Sequence, residues 1–587
     1  MLEFKDYLAN WPDIAYPNFP ALLEGVTQKW GGKNAVLYRS GKQKDFTVWS
    51  FARLGEECRR IARGLLAAGL SKGDRVALWA ENRPEWMAVW LGAAIAGCVI
   101  VPIDLLVSEK EAANILALTR ARAFFYSSKK QRFADTLAAG AESSLQALVC
   151  LSAEGAAGRP GYPAFGRDAD GQGLPEVSDI QGRDPVSIVF TSGTTGFAKG
   201  VTLHHQGIIA NVNAAIRSLR GHDWDVFINV LPLHHTYPTT CSFLAPLACG
   251  ASTVIVEKLV GKVVIDDIRD AGGTFLIAVP LLYDKVKTAI AQGYQALPGA
   301  LRFPLNILRK IALDKAKRGN FQFGQRVFRF IRKKAGLGSI RIMVAGGGPL
   351  SPQTADFFDS FGFNIVHGYG MSENSPLISV NTPWHKRNVS VGLPVNDTFI
   401  KIIDKNPEGI GEIVVNSPSV MLGYYENPGA TQEVIGADGC LRTGDLGYLD
   451  DEGFIYICGR KKNLIVSSGG KNVYPEEIEA HFDGSRIVGQ ILIAGRKERE
   501  FGGEQIVAVA VPNWDALAAD YPGVALSGPF LKDLIKKEVE RVNRSLVGYK
   551  KITDCILRRE AFEMNAQQKI KRFLYKDYER PAAETAP

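Results

Sequence analysis

At 587 residues the chain is too long for one hydrophobic core, so we expect at least two domains, one of them large. Its hydrophobic fraction of 46% permits sizeable cores. Eight scattered cysteines without a CxxC pair are typical of free thiols in a reducing compartment and disfavour a disulfide framework. The first residues include acids and lack an apolar core, which disfavours a secretory signal. We therefore expect a cytoplasmic protein.

The first elements alternate between helix and strand. Apolar residues at helical spacing predict a helix over 51–65, followed by a strand over 75–80. The apolar run 87–103 is predicted to be a buried helix and a buried strand, in preference to a membrane span. The repeated order of helix and strand favours an α/β fold with a largely parallel sheet.

Two changes of composition divide the rest of the chain. Residues 152–184 are rich in Gly, Pro, Asp and Ala and are predicted to form a long surface loop before a buried strand over 187–190. Near residue 461 a Gly-punctuated, β-rich region gives way to a segment with its own strand (505–511) and basic helix (530–546). We place a domain boundary there, with domains at 1–461 and 462–587.

Residues 301–336 carry most of the positive charge. The segment has eleven Lys or Arg against one acid, Asp314, and therefore contributes +10 to a net charge of +8. Apolar residues are interleaved with the basic ones, so the segment can lie on anionic lipid. A solvated helical pair packed on the large domain is the alternative. Nucleic acid is not expected, since no recognised nucleic-acid-binding motif accompanies the charge.

The segment 190–200 predicts a phosphate-binding loop. Glycines allow backbone N–H groups to turn toward an anion, hydroxyls donate further hydrogen bonds, and Lys199 adds a positive charge. It is not a Walker A loop, because Ala198 and Gly200 occupy positions where that motif requires Gly and Ser or Thr. A flexible Gly/Thr turn is the alternative. The predicted nucleotide contacts in this loop are Thr191, Ser192, Gly193, Thr194, Thr195, Gly196 and Lys199.

This loop resembles the TSGTTGxPKG motif of the AMP-forming acyl-CoA synthetase family, with Ala198 in place of proline. Further segments at 231–237, 345–350, 369–373, 442–445 and 459–462 resemble later motifs of the family and occur in its order. Among the branches of this family, the chain most resembles the long-chain fatty acyl-CoA synthetases. It implies a large domain of stacked, mostly parallel sheets with a small β-barrel-like subdomain, followed by a small mobile α+β domain.

The resemblance also implies site residues outside the loop. Asp445 would accept hydrogen bonds from the ribose hydroxyls, although an aspartate there could also cap a turn. His235 would gate the carboxylate pocket, or be an ordinary core histidine. Glu373 and Thr191 would hold Mg²⁺, which prefers hard oxygen ligands. The remaining implied ATP or AMP contacts are Gly346, Gly347, Gly348, Tyr369, Gly370, Ser372 and Arg460.

The family's catalytic lysine has its nearest match in Lys569. The surrounding motif differs, since Asn565 and Gln568 replace the usual Thr and Gly, and Lys571 or Arg572 could act instead. A solvated basic helix end is the alternative interpretation. Lys462 would be the hinge, and rotation there would bring a loop lining the CoA tunnel to the site, with Ser468, Gly469 and Gly470.

The implied function is ATP-dependent activation of a carboxylic acid to acyl-AMP, followed by transfer to coenzyme A. The acid is expected to be a medium- or long-chain fatty acid, with apolar stretches at 240–249 and 275–282 as an acyl tunnel or simply as core. Two alternatives stay open: transfer to the phosphopantetheine of a carrier protein, and a degenerate, non-catalytic lipid-binding protein. The sequence leaves open whether the protein is a monomer or a homodimer.

Overall fold

The computed structural model describes residues 13–40, 43–139, 144–152, 161–191, 199–467, 471–497, 503–564 and 570–579. The first part of the chain alternates between strands and helices, as predicted. Its strands are β1 (Asn34–Tyr38), β2 (Thr47–Ser50), β3 (Arg75–Trp79), β4 (Val99–Pro102), β5 (Ala123–Tyr126), β6 (Ala147–Cys150), β7 (Pro185–Thr191) and β8 (Lys199–His204). Its helices are α1 (Phe19–Trp30), α2 (Phe51–Ala67), α3 (Pro84–Ile95), α4 (Glu109–Thr119), α5 (Gln131–Ala139) and α6 (His205–Leu219).

The second part of the chain continues this alternation and contains the basic segment. Its strands are β9 (Val226–Asn229), β10 (Ser252–Ile255), β11 (Phe275–Ala278), β12 (Ile342–Ala345), β13 (Ile365–Gly370), β14 (Leu377–Val380) and β15 (Leu393–Pro394). Its helices are α7 (Thr236–Pro238), a π-helix (Thr239–Leu244), α8 (Ala245–Cys249), α9 (Gly261–Ala271), α10 (Pro280–Gln295), α11 (Gly299–Lys317), α12 (Gln322–Val327), α13 (Arg329–Lys334) and α14 (Pro352–Ser360).

The last part of the chain is richer in antiparallel strands. It begins with β16 (Phe399–Ile403), β17 (Gly411–Asn416), β18 (Gly423–Tyr424), α15 (Pro428–Val434), β19 (Leu441–Leu449) and β20 (Ile455–Arg460). It continues with β21 (Ile465–Val466), β22 (Asn472–Val473), α16 (Pro475–Ala480), β23 (Val488–Lys497), β24 (Glu504–Pro512), α17 (Trp514–Asp520), α18 (Gly528–Asn543), β25 (Asp554–Leu557) and a 3₁₀ helix (Arg572–Glu579).

Two large sheets form the frame of the site. One has the order β15-β14-β13-β12-β11-β9-β10-β1-β2, and its strands from β13 to β1 are parallel. The other has the order β18-β8-β7-β4-β3-β5-β6 and is parallel from β7 to β6. Strands β16, β17, β19 and β20 form a smaller antiparallel sheet. The predicted α/β class is confirmed.

The local signals in the sequence account for several elements. Helix α2 begins where the Ser50 side chain accepts a hydrogen bond from the Arg53 N–H, and its apolar stripe is buried as the spacing predicts. The run 87–103 forms α3 and β4, both buried, which confirms the predicted helix and strand. No helix in the described ranges is long and apolar enough to cross a bilayer.

The predicted surface loop at 152–184 is partly buried where it is described. Tyr162 and Phe165 are almost fully buried, and the Arg60 guanidinium stacks on the Tyr162 ring and donates to the carbonyl oxygens of both residues. The segment still forms a loop at the surface, and these two aromatic residues anchor it on α2. Composition alone does not reveal such single anchors.

The C-terminal elements share a core of their own. Strands β23 to β25 form one sheet, and apolar residues of α16, β23, β24 and α18 pack together with Ile465 and Val473. The strand predicted over 505–511 and the helix predicted over 530–546 are present as β24 and α18. The boundary at 461/462 stays a prediction.

Candidate active site

The predicted site residues converge on one cavity although they come from distant parts of the sequence. Its volume is about 3490 Å³, and it is walled by both large sheets, the small antiparallel sheet and the C-terminal elements. The predicted residues that line it are Thr191, Lys199, His235, Gly346, Gly347, Gly348, Tyr369, Gly370, Ser372, Glu373, Asp445, Arg460 and Lys462. Their individual roles stay predictions.

The ends of the predicted phosphate loop are held by a pair of antiparallel strands. Thr191 at the end of β7 pairs with Lys199 at the start of β8. Both residues line the cavity. Ser192, Gly193, Thr194, Thr195 and Gly196 lie outside the described residues.

Asp445 is the centre of a buried polar cluster. The residue is 3% exposed and lies opposite Arg460 in the β19–β20 pair. Its Oδ1 is 2.6 Å from Arg460 Nε, and its Oδ2 accepts a hydrogen bond of 2.6 Å from the Tyr369 hydroxyl. Burial raises the pKa of Tyr369 well above its ordinary value, so the hydroxyl keeps its proton and can donate. The carboxylate is therefore held in one orientation at the cavity wall.

Glu373 belongs to a second polar cluster. It lies in a 3₁₀ turn (Ser372–Asn374) directly after β13, and its Oε1 accepts a hydrogen bond of 2.8 Å from the Tyr424 hydroxyl. Burial and the nearby carboxylate raise the pKa of Tyr424, so this hydroxyl also stays protonated. The Lys199 ammonium lies 4.9 Å from the centre of the Tyr424 ring. Tyr424 also lines the cavity, although it was not among the predicted residues.

His235 lies in a third, largely buried cluster with His234 and Asp104. The two imidazole rings are 4.1 Å apart, and His234 Nε2 is 3.2 Å from Asp104 Oδ1. Burial lowers the pKa of His235 to about 3, so its ring is neutral near pH 7. Burial alone would raise the pKa of Asp104, but the contact with His234, the hydrogen bond from the Leu106 N–H and the nearby His235 together outweigh it, and the pKa falls to about 2.

In the described ranges, this third cluster is the only group of three or more His, Cys, Asp or Glu side chains whose ligand atoms lie close enough together to hold a metal ion. The ligand atoms of Asp104, His234 and His235 lie within 4.8 Å of one another. Asp104 and His234 already contact each other at 3.2 Å, which accounts for two of the three groups. Asp104 was not among the predicted residues, because its only signal in the sequence is a carboxylate just after a buried strand.

The C-terminal part of the chain contributes basic residues to the cavity. Burial lowers the pKa of Lys462, which lies in a 3₁₀ turn (Lys461–Asn463) after β20. Lys571 is paired with Glu563, and Arg572 is 2.5 Å from Glu479 Oε1, so each alternative to Lys569 already has a carboxylate partner. Lys569, Ser468, Gly469 and Gly470 lie outside the described residues.

One wall of the cavity is apolar. Some residues of both predicted acyl-tunnel stretches form part of this wall and face the cavity. Other residues of the two stretches belong to the hydrophobic core. Phe227 and Phe275 stack at 4.3 Å between ring centres within this region. The apolar lining residues include Ala215, Ile216, Leu219, Phe227, Cys241, Ala245, Phe275, Ile277 and Leu281.

Comparison with known proteins identifies the family. The model of the AMP-binding enzyme family matches residues 23–425, more than half of the chain, so the protein belongs to this family. Peroxisomal long chain acyl-CoA synthetase 6 of Arabidopsis thaliana is 28% identical over 551 residues, covering 89% of this chain and 77% of the relative. The predicted family and enzyme class, an AMP-forming acid–thiol ligase, are confirmed.

Two further matches are to proteins named for a different acceptor and a different acid. A chloroplastic long-chain fatty acid–acyl-carrier-protein ligase of Arabidopsis thaliana, AEE15, is 26% identical over 595 residues, covering 89% of this chain and 80% of the relative. The crystal structure of the anthranilate CoA ligase AuaEII with anthranoyl-AMP superposes with a TM-score of 0.77 at 20% identity, covering 98% of this chain and 99% of that one. The second match shows the fold alone.

Proposed function

We propose that the protein activates a medium- or long-chain fatty acid to acyl-AMP, releasing pyrophosphate, and then transfers the acyl group to coenzyme A. The observation that carries this proposal is the single cavity in which phosphate-loop ends, two oriented carboxylates and an apolar wall meet. In the first step a carboxylate oxygen attacks the α-phosphorus of ATP and the bond to pyrophosphate breaks. In the second step a thiol attacks the acyl carbon and AMP leaves.

The first step requires cations, because an anion approaches a polyanion. The carboxylate of Glu373 and the hydroxyl of Thr191 are hard oxygen donors of the kind that Mg²⁺ binds, so this pair fits the metal. Bound there, Mg²⁺ would neutralise charge on the triphosphate. Lys199 and the loop residues would receive the pyrophosphate, and Lys569 would approach the attacking carboxylate.

The nucleoside would lie between the glycine turn and the Asp445 cluster. A Cβ atom on Gly346 would come within 2.7 Å of the Tyr237 ring, and Gly347 has φ of +79°, so this turn requires glycine. It therefore presents bare backbone to a planar ring such as adenine. Asp445, held by Arg460 and Tyr369, would accept the two ribose hydroxyls.

The acid would lie along the apolar wall with its carboxylate toward the nucleotide. His235 is neutral and therefore adds no charge beside the carboxylate of the acid. Its Nε2 is buried and has no hydrogen-bond partner in the described part of the chain. A buried, unpaired polar atom is costly unless a ligand supplies its partner. We therefore assign His235 to the mouth of the acyl pocket. A long-chain acid is favoured by the number of apolar side chains along this wall.

Transfer to the thiol would use a second arrangement of the small domain. In this proposal residues 462–587 rotate about Lys462, withdraw Lys569 and bring Ser468, Gly469 and Gly470 to the thiol. Coenzyme A is the proposed acceptor, as in the name of the peroxisomal relative, whereas AEE15 is named for a carrier protein. The convergence of the site residues argues against a non-catalytic protein.

The proposed location is the cytoplasm, at the inner face of a membrane. All eight cysteines are free thiols, and burial raises the pKa of several of them, including Cys58 and Cys241, which keeps them protonated and unreactive. Such thiols agree with a reducing compartment. A monomer and a homodimer both fit this proposal.

Pyrophosphate release from ATP and Mg²⁺, measured with acids from acetate through benzoate to palmitate, tests the function. With coenzyme A present, acid-dependent release and a matching acyl-CoA are expected, with the highest rate for long chains. Release without a thioester would assign the acceptor to a carrier protein, and preference for benzoate would contradict the fatty acid. No release with any acid would overturn the enzymatic proposal.

A further inference from the structure

The basic segment presents an apolar stripe to solvent. In α11, Phe303, Ile307 and Ile311 follow one another at intervals of four residues and are 73%, 50% and 40% exposed. In α13, Phe330 is 74% exposed. Large apolar side chains at this exposure and at helical spacing mark an interaction surface. We call the exposed sides of α11 and α13 the basic–apolar face.

The opposite sides of the same helices are fixed to the large domain. Leu305, Leu308 and Ala312 of α11 and Phe328 and Ile331 pack in or against one hydrophobic core. Both helices therefore point their exposed sides away from that core. The alternative of a helical segment packed on the large domain is correct for this inner side, and it leaves the outer stripe without an explanation.

Two of the basic residues serve the inner side. Arg309 stacks on Phe361 at 4.3 Å and donates to Ser360 Oγ. Arg332 is 5% exposed, stacks on Phe363 and donates to the carbonyl oxygens of Gly362 and Ile340. These two guanidinium groups are structural, so they are not available to a partner.

Five of the outer basic residues have no carboxylate partner within the described part of the chain and can contact a ligand. Asp314 is paired with Arg318, and Lys317 lies 3.6 Å from Asp356. In the described part of the chain, the following exposed residues have no carboxylate within ion-pair distance: Lys310, Arg326, Arg329, Lys333 and Lys334. The face is therefore strongly cationic around its apolar side chains.

We propose that the basic–apolar face docks the protein on an anionic lipid bilayer. Apolar side chains can enter the membrane interface while Lys and Arg contact the headgroups. An anionic bilayer offers both an apolar layer and negative charge. A soluble polyanion would match the charge and leave Phe303, Ile307 and Phe330 in water. No helix in the described ranges can span the bilayer, so this attachment is peripheral.

The face adjoins the wall of the cavity. Arg302 of α11 donates to Gln295 at the end of α10, and Asn306 accepts a hydrogen bond of 2.8 Å from Tyr294. Gln295 and Leu281 of α10 line the cavity. Docking would thus bring this wall near the bilayer, from which an apolar acid could enter. This last step rests on the proposed function, whereas docking itself does not.

Flotation of the full-length protein with vesicles, without ATP or acid, tests the docking. We expect binding to vesicles of phosphatidylglycerol in phosphatidylcholine, weak binding to pure phosphatidylcholine, and a decrease at high salt. The variant Lys310→Gln/Lys333→Gln/Lys334→Gln should lower the partition coefficient roughly a hundredfold. The variant Phe303→Gln/Ile307→Gln should lower it roughly tenfold or more.

A matched variant controls for net charge. Lys532, Lys536 and Lys537 are exposed on α18, away from any exposed apolar stripe of that helix, so changing all three to Gln removes the same charge. Equal loss of binding in this control, or none in the Lys310 variant, would overturn the proposal. Loss on neutralising the lysines with unchanged binding of the Phe303 variant would contradict insertion of the apolar side chains and leave a purely electrostatic contact with the headgroups. Pyrophosphate release with a short, soluble acid should be unchanged in all three variants.

Discussion

The proposed nucleotide side and the proposed acyl side of the cavity are built in different ways. On the nucleotide side, single polar atoms are fixed by named partners, as Asp445 is by Arg460 and Tyr369. On the acyl side, the wall consists of apolar side chains that continue the core of the domain, with one neutral, buried histidine. The activation step is the same for every acid and needs polar atoms in fixed positions. The choice of acid depends on the shape of the apolar wall.

The largest effect is expected from Glu373→Gln on the nucleotide side. Removing the charged metal ligand should lower acyl-AMP formation roughly a thousandfold and raise the Mg²⁺ concentration needed for activity. Pyrophosphate release over a Mg²⁺ titration measures both. Glu433→Gln, an exposed glutamate that lines the same cavity, is the matched control. Equal Mg²⁺ dependence in wild type and Glu373→Gln would remove Glu373 from the metal site.

Asp445→Asn should give the next largest loss. Two charge-assisted hydrogen bonds to ribose would be weakened and Arg460 would lose its ion pair, so kcat/KM for ATP should fall about thirty- to a hundredfold. Initial rates at varied ATP measure this. The KM for the acid should change much less. A variant affected mainly in its KM for the acid would contradict the ribose role.

Substitution on the acyl side should change selectivity more than rate. Ala245→Leu adds volume at the apolar wall, so kcat/KM for palmitate should fall about tenfold relative to hexanoate. The control is Ala248→Leu, a buried alanine of the same helix that does not line the cavity. Equal loss for both acids in Ala245→Leu, or the same selectivity change in Ala248→Leu, would contradict an acyl chain at this wall.

Tyr424→Phe sharpens the comparison on the nucleotide side. It removes one hydrogen bond to Glu373 and leaves the ring beside Lys199, so kcat/KM for ATP should fall about fivefold. Tyr425→Phe is the adjacent control, since its hydroxyl has no hydrogen bond to another described side chain. If the two variants behave alike, Tyr424 does not position Glu373.

The smallest expected effect is a pH dependence of stability from His235. Its folded pKa of about 3 lies below the ordinary 6.5, so the unfolded chain binds the extra proton and stability falls as the pH decreases between these values. His235→Asn should remove about 1–2 kcal/mol of the loss between pH 7 and about pH 5. Denaturant unfolding at both pH values measures it, with exposed His481→Asn as control. An unchanged pH slope would contradict a neutral, buried His235.

The sequence specified individual residues for the proposed nucleotide side, but only two apolar stretches for the proposed acyl side. Thr191, Glu373 and Asp445 lie in contiguous motifs, and the structure brings all three to one cavity. Tyr424 and Asp104 were missed because each acts through a partner distant in sequence, Glu373 and His234 respectively. No local pattern encodes such a pair.

The residues of the apolar wall could not be predicted from the sequence for a different reason. Cys241 lines the cavity while Leu244, three residues later, lies in the core, yet both are simply apolar and buried in the sequence pattern. The helices and strands around them were predictable because periodicity depends on burial alone. Which buried side chain borders an empty space depends on packing between elements distant in sequence.

Transfer of labelled oxygen tests the proposed chemistry most directly. A long-chain acid labelled with heavy oxygen (¹⁸O) in its carboxylate is incubated with the enzyme, ATP, Mg²⁺ and coenzyme A, and the products are analysed by mass spectrometry. Attack on the α-phosphorus predicts one labelled oxygen in AMP and none in pyrophosphate. Label in inorganic phosphate together with ADP, or AMP without label, would contradict an acyl-AMP intermediate.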